Sequence, residues 1–481
     1  MGSEDEQSEA APPGRRRWPF VVLGLGLVAA LAVVAAIVLP SGDEGASHPE
    51  DWDPRVLDLV NFVQDERGLL YEHPVAIDFL TADEYTDRIL ERDELTDEDV
   101  EDLEQAESEL RAMGLVTGDV DLVEALRAVQ DEGTLAYYDQ DEDRIIIRGT
   151  EISPALSVTL VHELTHALQD QHFDLDREDE SDDGADEDVF RSLVEGDATR
   201  IEDGYVANLT DEERAKYVVE TASQEESTDL SAVPSVWLAF VGAPYSLGRD
   251  LVAYLDATDG NGAVNDALDD PPRSELVLLD PFRYSDAESV AEVPVPALSD
   301  AESQLDDGDL GALTLFFLLS SHHDALVALE AADSWTGDAY VTFERDDRVC
   351  MRVSVASVDD GAARELERLL QEWGDASPAA SVEVTRDGQT VTFVSCDPGS
   401  ENEAPELDFA GEIMAVPQAR AEIGVEFMTQ GAPPDVARCI SGKIVGEYSI
   451  EDLYSADPAQ FQTQEFFDQV RGFAETCDAE G

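Results

Sequence analysis

Residues 160–175 read LVHELTHALQDQHFDL and hold three of the seven histidines in a chain of 481 residues. Within them His162-Glu163-Leu164-Thr165-His166 has the spacing His-Glu-x-x-His. On a helix, positions four apart lie about 40° apart on one face, so two imidazoles there can grip a single metal ion. Glu163 stands beside them, where its carboxylate can reach a water activated at that ion. With histidine so scarce, composition alone would produce the pattern in roughly one such chain per hundred. His172 is six residues past His166 and points about 120° away from it, which suits packing or capping near the helix end. Ser153 and Pro154 occupy the N-cap and first helical positions, so the helix begins just upstream.

A tetrahedral catalytic metal takes three protein ligands and leaves the fourth position to water. The third ligand is expected at Glu195, which interrupts the apolar helical face FRSLVEGDA at 190–198, where an unpaired buried carboxylate would be costly. Gly196 would let two helices approach closely, and Asp197 is expected to hold a histidine through its distal nitrogen. A His/His/Glu set suits zinc best among divalent ions. Transition-state donors could be Tyr205, Tyr245, His322 or His323, and the sequence does not choose among them. His322 and His323 end an apolar helix, where histidines are also favoured by the helix dipole.

Upstream, GTLAYYDQDEDRIIIRGT at 133–150 reads as a hairpin of two β-rich runs around an acidic turn, with Tyr137 and Tyr138 shaping a cleft. HPVAIDFL at 73–80 reads as a strand, and the rest of 52–129 as mostly helix. After the motif, the acidic loop 176–188 lacks the spacing of a calcium loop and reads as solvated. From about 309 onward the pattern is helix, two strands, helix, two strands, and then a helical tail. The fold class is therefore α+β.

Asp and Glu number 110 against 29 Lys and Arg, a net charge of −81. The acids spread along nearly the whole chain, as solvation in a salty medium requires. At molar salt the Debye length is about 3 Å and self-repulsion largely disappears. Such a charge excludes nucleic acid as a partner. Residues 18–40 form an uncharged run that spans about 30 Å as a helix, the thickness of a bilayer core. Arg15, Arg16 and Arg17 precede it, and no Lys or Arg follows until Arg55. The positive-inside rule then makes 1–17 a cytoplasmic tail, 18–40 a membrane anchor and the remainder extracellular. The run is long for a cleaved signal peptide and lacks a good small-x-small site next to its end. Four cysteines outside the membrane, Cys350, Cys396, Cys439 and Cys477, suggest two disulfides. Of three possible pairings, 350–396 and 439–477 are favoured: the first two lie in strand-like runs, and the others flank one helical segment.

HELTH followed by a helical Glu resembles the gluzincin metallopeptidases, the thermolysin-like branch of the zincins. The hairpin before the helix is similar to the zincin edge strand that holds an extended peptide. More narrowly, ERGLLYEHPVAIDFLT, AYYDQDEDRIIIRG, LVEGDAT, PYSLG, DDPPRSELVLLDPFRY and DSWTGDAYVTFE resemble an uncharacterised family of bacterial exported or membrane-bound metallopeptidase-like proteins, over roughly residues 55–400. Asp280-Pro281 departs from the His-Pro expected there. The spacing from His166 to Glu195 also exceeds that of thermolysin, and the acidic loop accounts for the extra length. The tail, ARCISGKIVGEYSIEDL through FAETC, resembles a helical disulfide module of many exported actinobacterial proteins.

The resemblance implies one zinc ion per chain on His162, His166 and Glu195, Glu163 as general base, and a peptide or protein substrate. The expected organisation is a linker at 41–51, a zincin-like catalytic region at 52–295, a small α+β subdomain at 296–400, a linker at 401–415 and a disulfide-braced helical module at 416–481. Two other readings stand beside it. One is an inactive zincin homologue that serves as a surface binding module, and the missing His-Pro histidine speaks for it. The other is a tethered surface protein with no metal.

Overall fold

The computed structural model describes residues 48–480 apart from 93–94, 134, 174, 176–183, 228–229, 231–232, 287–289, 378–379, 403–406 and 455–462. The expected cytoplasmic tail, membrane anchor and positions 41–47 of the linker lie outside the described residues, as does most of the acidic loop. Among the described residues no helix is long and apolar enough to cross a membrane.

The first part runs α1 (Leu57–Arg67), β1 (Ala76–Leu80), α2 (Ala82–Arg92), α3 (Asp97–Met113), α4 (Leu122–Gly133), β2 (Ala136–Asp139), β3 (Arg144–Arg148), α5 (Pro154–Phe173), α6 (Gly184–Asn208), α7 (Asp211–Ser227), α8 (Ser235–Asp259), α9 (Asn261–Asp269) and α10 (Leu276–Leu279). The second runs β4 (Ser303–Gly308), α11 (Ala312–Ser320), α12 (Ala325–Ala332), β5 (Trp335–Glu344), β6 (Val349–Ser357), α13 (Asp360–Ala376), β7 (Ala380–Asp387) and β8 (Thr390–Cys396). The tail is α14 (Ala415–Thr429), α15 (Pro434–Glu447), α16 (Ile450–Leu453) and α17 (Gln464–Glu480). The fold is α+β, as expected.

Local signals place several boundaries. Thr96 and Asp99 form a reciprocal capping box at the start of α3, and Gly114, at φ 71°, ends it in the left-handed region that glycine adopts without strain. Pro154 opens α5, and the Ser153 hydroxyl accepts the Leu156 N–H at 3.3 Å. α5 is buried on nearly all sides, which suits a central helix. One flank, Leu156, Leu160, Val161, Leu164 and Leu168, joins α1 and the small sheet in a separate core cluster.

That small sheet has the order β1-β3-β2, with β1 parallel and β2 antiparallel to β3. β2 is an edge strand lying against α5. The larger sheet has the order β4-β5-β6-β8-β7 and is antiparallel throughout. Its first strand, SQLDDG, was not expected from the sequence: it lacks β-branched residues, and pairing with β5 overrides its weak propensity. One face of this sheet packs on α3, α11 and α13, and the other lies under Val295 and Leu298.

The main core is continuous from α3 through α8 and the large sheet to α14 and α15. The expected catalytic region, subdomain and helical module therefore share apolar interior. The expected linker 401–415 is packed at its end: Phe409 and Ile413 of a short helical turn, Phe409–Ile413, are buried, and Phe409 meets Phe317 edge-on. The disulfides are those expected. Cys350–Cys396 joins directly opposed positions of β6 and β8, and Cys439–Cys477 joins α15 to α17.

Candidate metal centre

The centre forms where α5, α6 and α8 meet beneath β2. α6 and α8 touch backbone to backbone. A Cβ built on Gly196 would lie 2.2 Å from the Gly248 carbonyl carbon, and one on Gly248 would lie 2.0 Å from the Ser192 carbonyl oxygen. Two glycines thus permit an approach that any side chain would block, as Gly196 led us to expect. Glu195, beside Gly196, and Tyr245, one turn before Gly248, are carried by this contact onto the histidines of α5.

His162 Nε2 lies 3.2 Å and His166 Nε2 3.4 Å from Glu195 Oε2. His162, His166 and Glu195 offer ligand atoms that all lie within 4.8 Å of one another. His166 Nε2 and Glu163 Oε1 are buried without a hydrogen-bond partner. A tetrahedral zinc with ligand bonds of about 2.0–2.1 Å needs donors a little over 3 Å apart, so these three fit such an ion.

Two histidines and three glutamates, Glu163, Glu195 and Glu202, meet in a buried site. Burial opposes ionisation of Glu195, but the two imidazoles outweigh it and hold the carboxyl at about 2. Burial also opposes charge on His162, yet the hydrogen bonds it donates to the Glu195 and Glu202 carboxylates raise its pKa well above the usual value. A metal ion bound at His162 Nε2 would take the place of that proton. Burial lifts Glu163 to about 7 despite both imidazoles, and a bound cation would pull it down.

Each histidine is gripped from behind. Glu202 Oε2 lies 3.1 Å from His162 Nδ1, and Gln169 Oε1 lies 3.0 Å from His166 Nδ1. Asp197 does not hold a histidine, contrary to expectation. It is two residues past Glu195, nearly opposite on the helix, and meets Arg67 at 2.8 Å and Arg200 at 2.9 Å. It acts through Gln169, whose amide nitrogen donates to Asp197 and to the Val194 carbonyl, both at 3.0 Å. Sequence reading missed Gln169 and Glu202. Both follow from helical spacing: Gln169 is one turn past His166, and Glu202 two turns past Glu195.

Of the expected donors only Tyr245 reaches the centre. Its ring stacks on His162 at 6.1 Å, and its hydroxyl bonds to Glu195; burial and that carboxylate raise its pKa well above the ordinary value. Tyr205 packs edge-on against Phe62. His323 Nε2 bonds the Leu369 carbonyl at 2.9 Å, and His322 is exposed beside it. Neither belongs to the centre; the helix-end reading describes both. His172 is structural too, with Nε2 2.9 Å from the Leu70 carbonyl. Tyr138 does more than shape a cleft: its backbone N–H donates to Glu163 Oε2 at 2.8 Å and leaves Oε1 free.

Asp280, where the resemblance led us to expect histidine, lies in a different structure. It is buried and pairs with Arg438 at 2.6 Å, with Arg420 at 3.9 Å, so it anchors α14 and α15. The centre itself is closed: His162 and Glu163 are 0% exposed, His166 3% and Glu195 4%. Comparisons with family models, with curated proteins and with solved structures found nothing that matches the chain.

Proposed function

We propose that the protein is a zinc-dependent peptidase of the gluzincin type, anchored by residues 18–40 with its catalytic region outside the cell. The observation that carries this reading is the convergence of three buried ligand atoms beside a glutamate with one unpartnered oxygen. Three protein ligands leave a coordination position open, as catalysis needs and a closed structural site does not.

A zinc ion held by His162, His166 and Glu195 would supply an acidified water and a Lewis acid for the scissile carbonyl. Glu163 Oε1 takes the proton of the attacking water and passes it to the leaving amine. The Tyr138 N–H holds the other oxygen, so the carboxylate keeps its aim through both transfers. Tyr245 turns its hydroxyl from Glu195 to the oxyanion that grows on the carbonyl. β2, as an edge strand, would hold an extended substrate through its outer backbone groups other than the Tyr138 N–H, which stays with Glu163. Because the centre is closed, a peptide enters only when the covering elements part.

That closure favours a second reading, in which the metal is retained but nothing is cleaved. Glu163→Gln separates the two. In molar salt, full-length zinc-loaded protein is incubated with a complex peptide library, and new termini are read by mass spectrometry. Cleavage by wild type that vanishes in Glu163→Gln, with zinc content unchanged, supports the peptidase. A zinc-loaded wild type that makes no cuts beyond those of Glu163→Gln supports the binding module.

A further inference from the structure

We infer that the chain carries a second metal site, built from His48, His73 and Asp143, that takes a divalent transition-metal ion such as zinc. The three residues come from separate segments: the chain ahead of α1, the loop ahead of β1, and the turn between β2 and β3. Their ligand atoms all lie within 4.8 Å of one another. His48 Nδ1 is 2.6 Å and His73 Nδ1 3.7 Å from the same oxygen, Asp143 Oδ2. The imidazoles are stacked with centroids 3.5 Å apart and planes 24° from parallel, so one ring must turn out of the stack before both lone pairs can meet at one ion.

In a chain with 110 acids, a histidine that finds a carboxylate is unremarkable. Here two of the seven histidines turn the same ring nitrogen, Nδ1, toward one carboxylate oxygen. His73 Nδ1 has no close partner besides: its other contacts, Gln171 Nε2 and the Pro74 carbonyl, are both at 3.4 Å. Tetrahedral zinc with bonds of about 2.0–2.1 Å sets its donors about 3.3 Å apart, between the two distances observed, so the donors are close enough to form the shell once one imidazole turns toward the ion. Two imidazoles select against the sodium and magnesium of a salty medium. Side-chain exposure of 39% at His48 and 29% at His73 leaves room for water as a fourth ligand.

Asp143 Oδ1 also accepts the Tyr138 hydroxyl at 3.0 Å, and the Tyr138 N–H holds Glu163. An ion here would therefore pin the segment ahead of α1 to the strand that aims Glu163. If 18–40 is the anchor, the same ion ties the membrane-proximal chain to that platform.

The test is zinc stoichiometry of the full chain in detergent and molar salt, stripped with chelator, reloaded with Zn2+ alone and desalted. Wild type is expected to hold two equivalents. His48→Ala, His73→Ala and the near-isosteric Asp143→Asn should each lose one, and His162→Ala should lose the other. Thermal unfolding confirms that each variant is folded; His48, partly exposed ahead of α1, carries no core packing and keeps the test decisive. A wild type with a single zinc lost in His162→Ala overturns the proposal. So does a His48→Ala whose zinc count and chelator-competition curve match wild type. Loss in His48→Ala but none in His162→Ala upholds this site and sinks the metal centre proposed above, so the two ideas fail separately.

Discussion

Gln169 Oε1 sits 3.0 Å from His166 Nδ1, and the orientation of that amide is forced. Its nitrogen faces two acceptors, Asp197 and the Val194 carbonyl, so its oxygen must face the ring. Nδ1 then carries the hydrogen, and the Nε2 lone pair points toward Glu195. Gln169→Leu removes this constraint while keeping the volume. Zinc affinity is expected to fall about 10- to 100-fold, as for other partners that orient a metal ligand. Chelator competition checks it; unchanged affinity would leave Gln169 a packing residue.

The contact of α6 with α8 gives a second prediction. At Gly196 and Gly248 an added methyl meets backbone, which cannot swing aside as a side chain can. Gly196→Ala should cost about 3 kcal/mol, the upper part of the usual range for overpacking. It should also weaken zinc binding, because Glu195 and Tyr245 ride on the same crossing. Denaturant unfolding in molar salt measures the first effect and metal content the second.

Much of the centre was legible in the sequence. Spacing alone placed His162, Glu163 and His166, and an acid within an apolar face marked Glu195. Gly196 foretold the close helix crossing. What stayed hidden is the support behind the ligands. Among 110 acids, Glu202 carries no compositional signal, and only its helical phase relative to Glu195 distinguishes it. Asp197 misled because adjacency to Glu195 was weighed without its direction around the helix. β4 was invisible because its strand character comes from pairing with β5 rather than from its residues. Asp280 looked like a lost catalytic histidine and is an anchor for Arg438, a partner 158 positions away.

Asp280 provides a direct check on that last point. Removing it takes the 2.6 Å partner from Arg438, while buried Arg420 keeps its two contacts with Asp333 at 2.6 and 3.0 Å. Asp280→Ala should destabilise the chain by about 1.5–3 kcal/mol, the usual cost of losing a hydrogen bond between charged groups. Zinc content at His162, His166 and Glu195 should not change. Loss of zinc with stability intact would move Asp280 back toward the metal chemistry.

Glu109 predicts how stability depends on pH. It is fully buried between α3 and the large sheet, and burial lifts its carboxyl from 4.5 to about 8. The folded chain keeps a proton that the unfolded chain releases, so this contribution is whole below about 4.5 and is lost as pH rises to about 8. Glu275, also raised to about 8, acts in the same sense. Glu109→Gln should flatten the fall in unfolding free energy across that window, by a few kcal/mol at most. Parallel wild-type and variant curves from pH 5 to 8 would show that Glu109 already ionises in the folded state.

Tyr245 tests the proposed mechanism itself. Its hydroxyl bonds to Glu195 while its ring stacks on His162, so the ring packs and the hydroxyl is free to change partners. Tyr245→Phe keeps the ring and removes only the donor. If the hydroxyl serves the growing oxyanion, kcat should fall about 100-fold or more with KM little changed, the pattern for a contact made only in the transition state. Zinc content and thermal stability should stay close to wild type, because Glu195 keeps both histidines. A variant that retains full kcat would assign Tyr245 to orienting Glu195 and leave the oxyanion to another donor. One that loses zinc would show that the hydroxyl holds the ligand set together, and the kinetic result would then carry no information about the oxyanion.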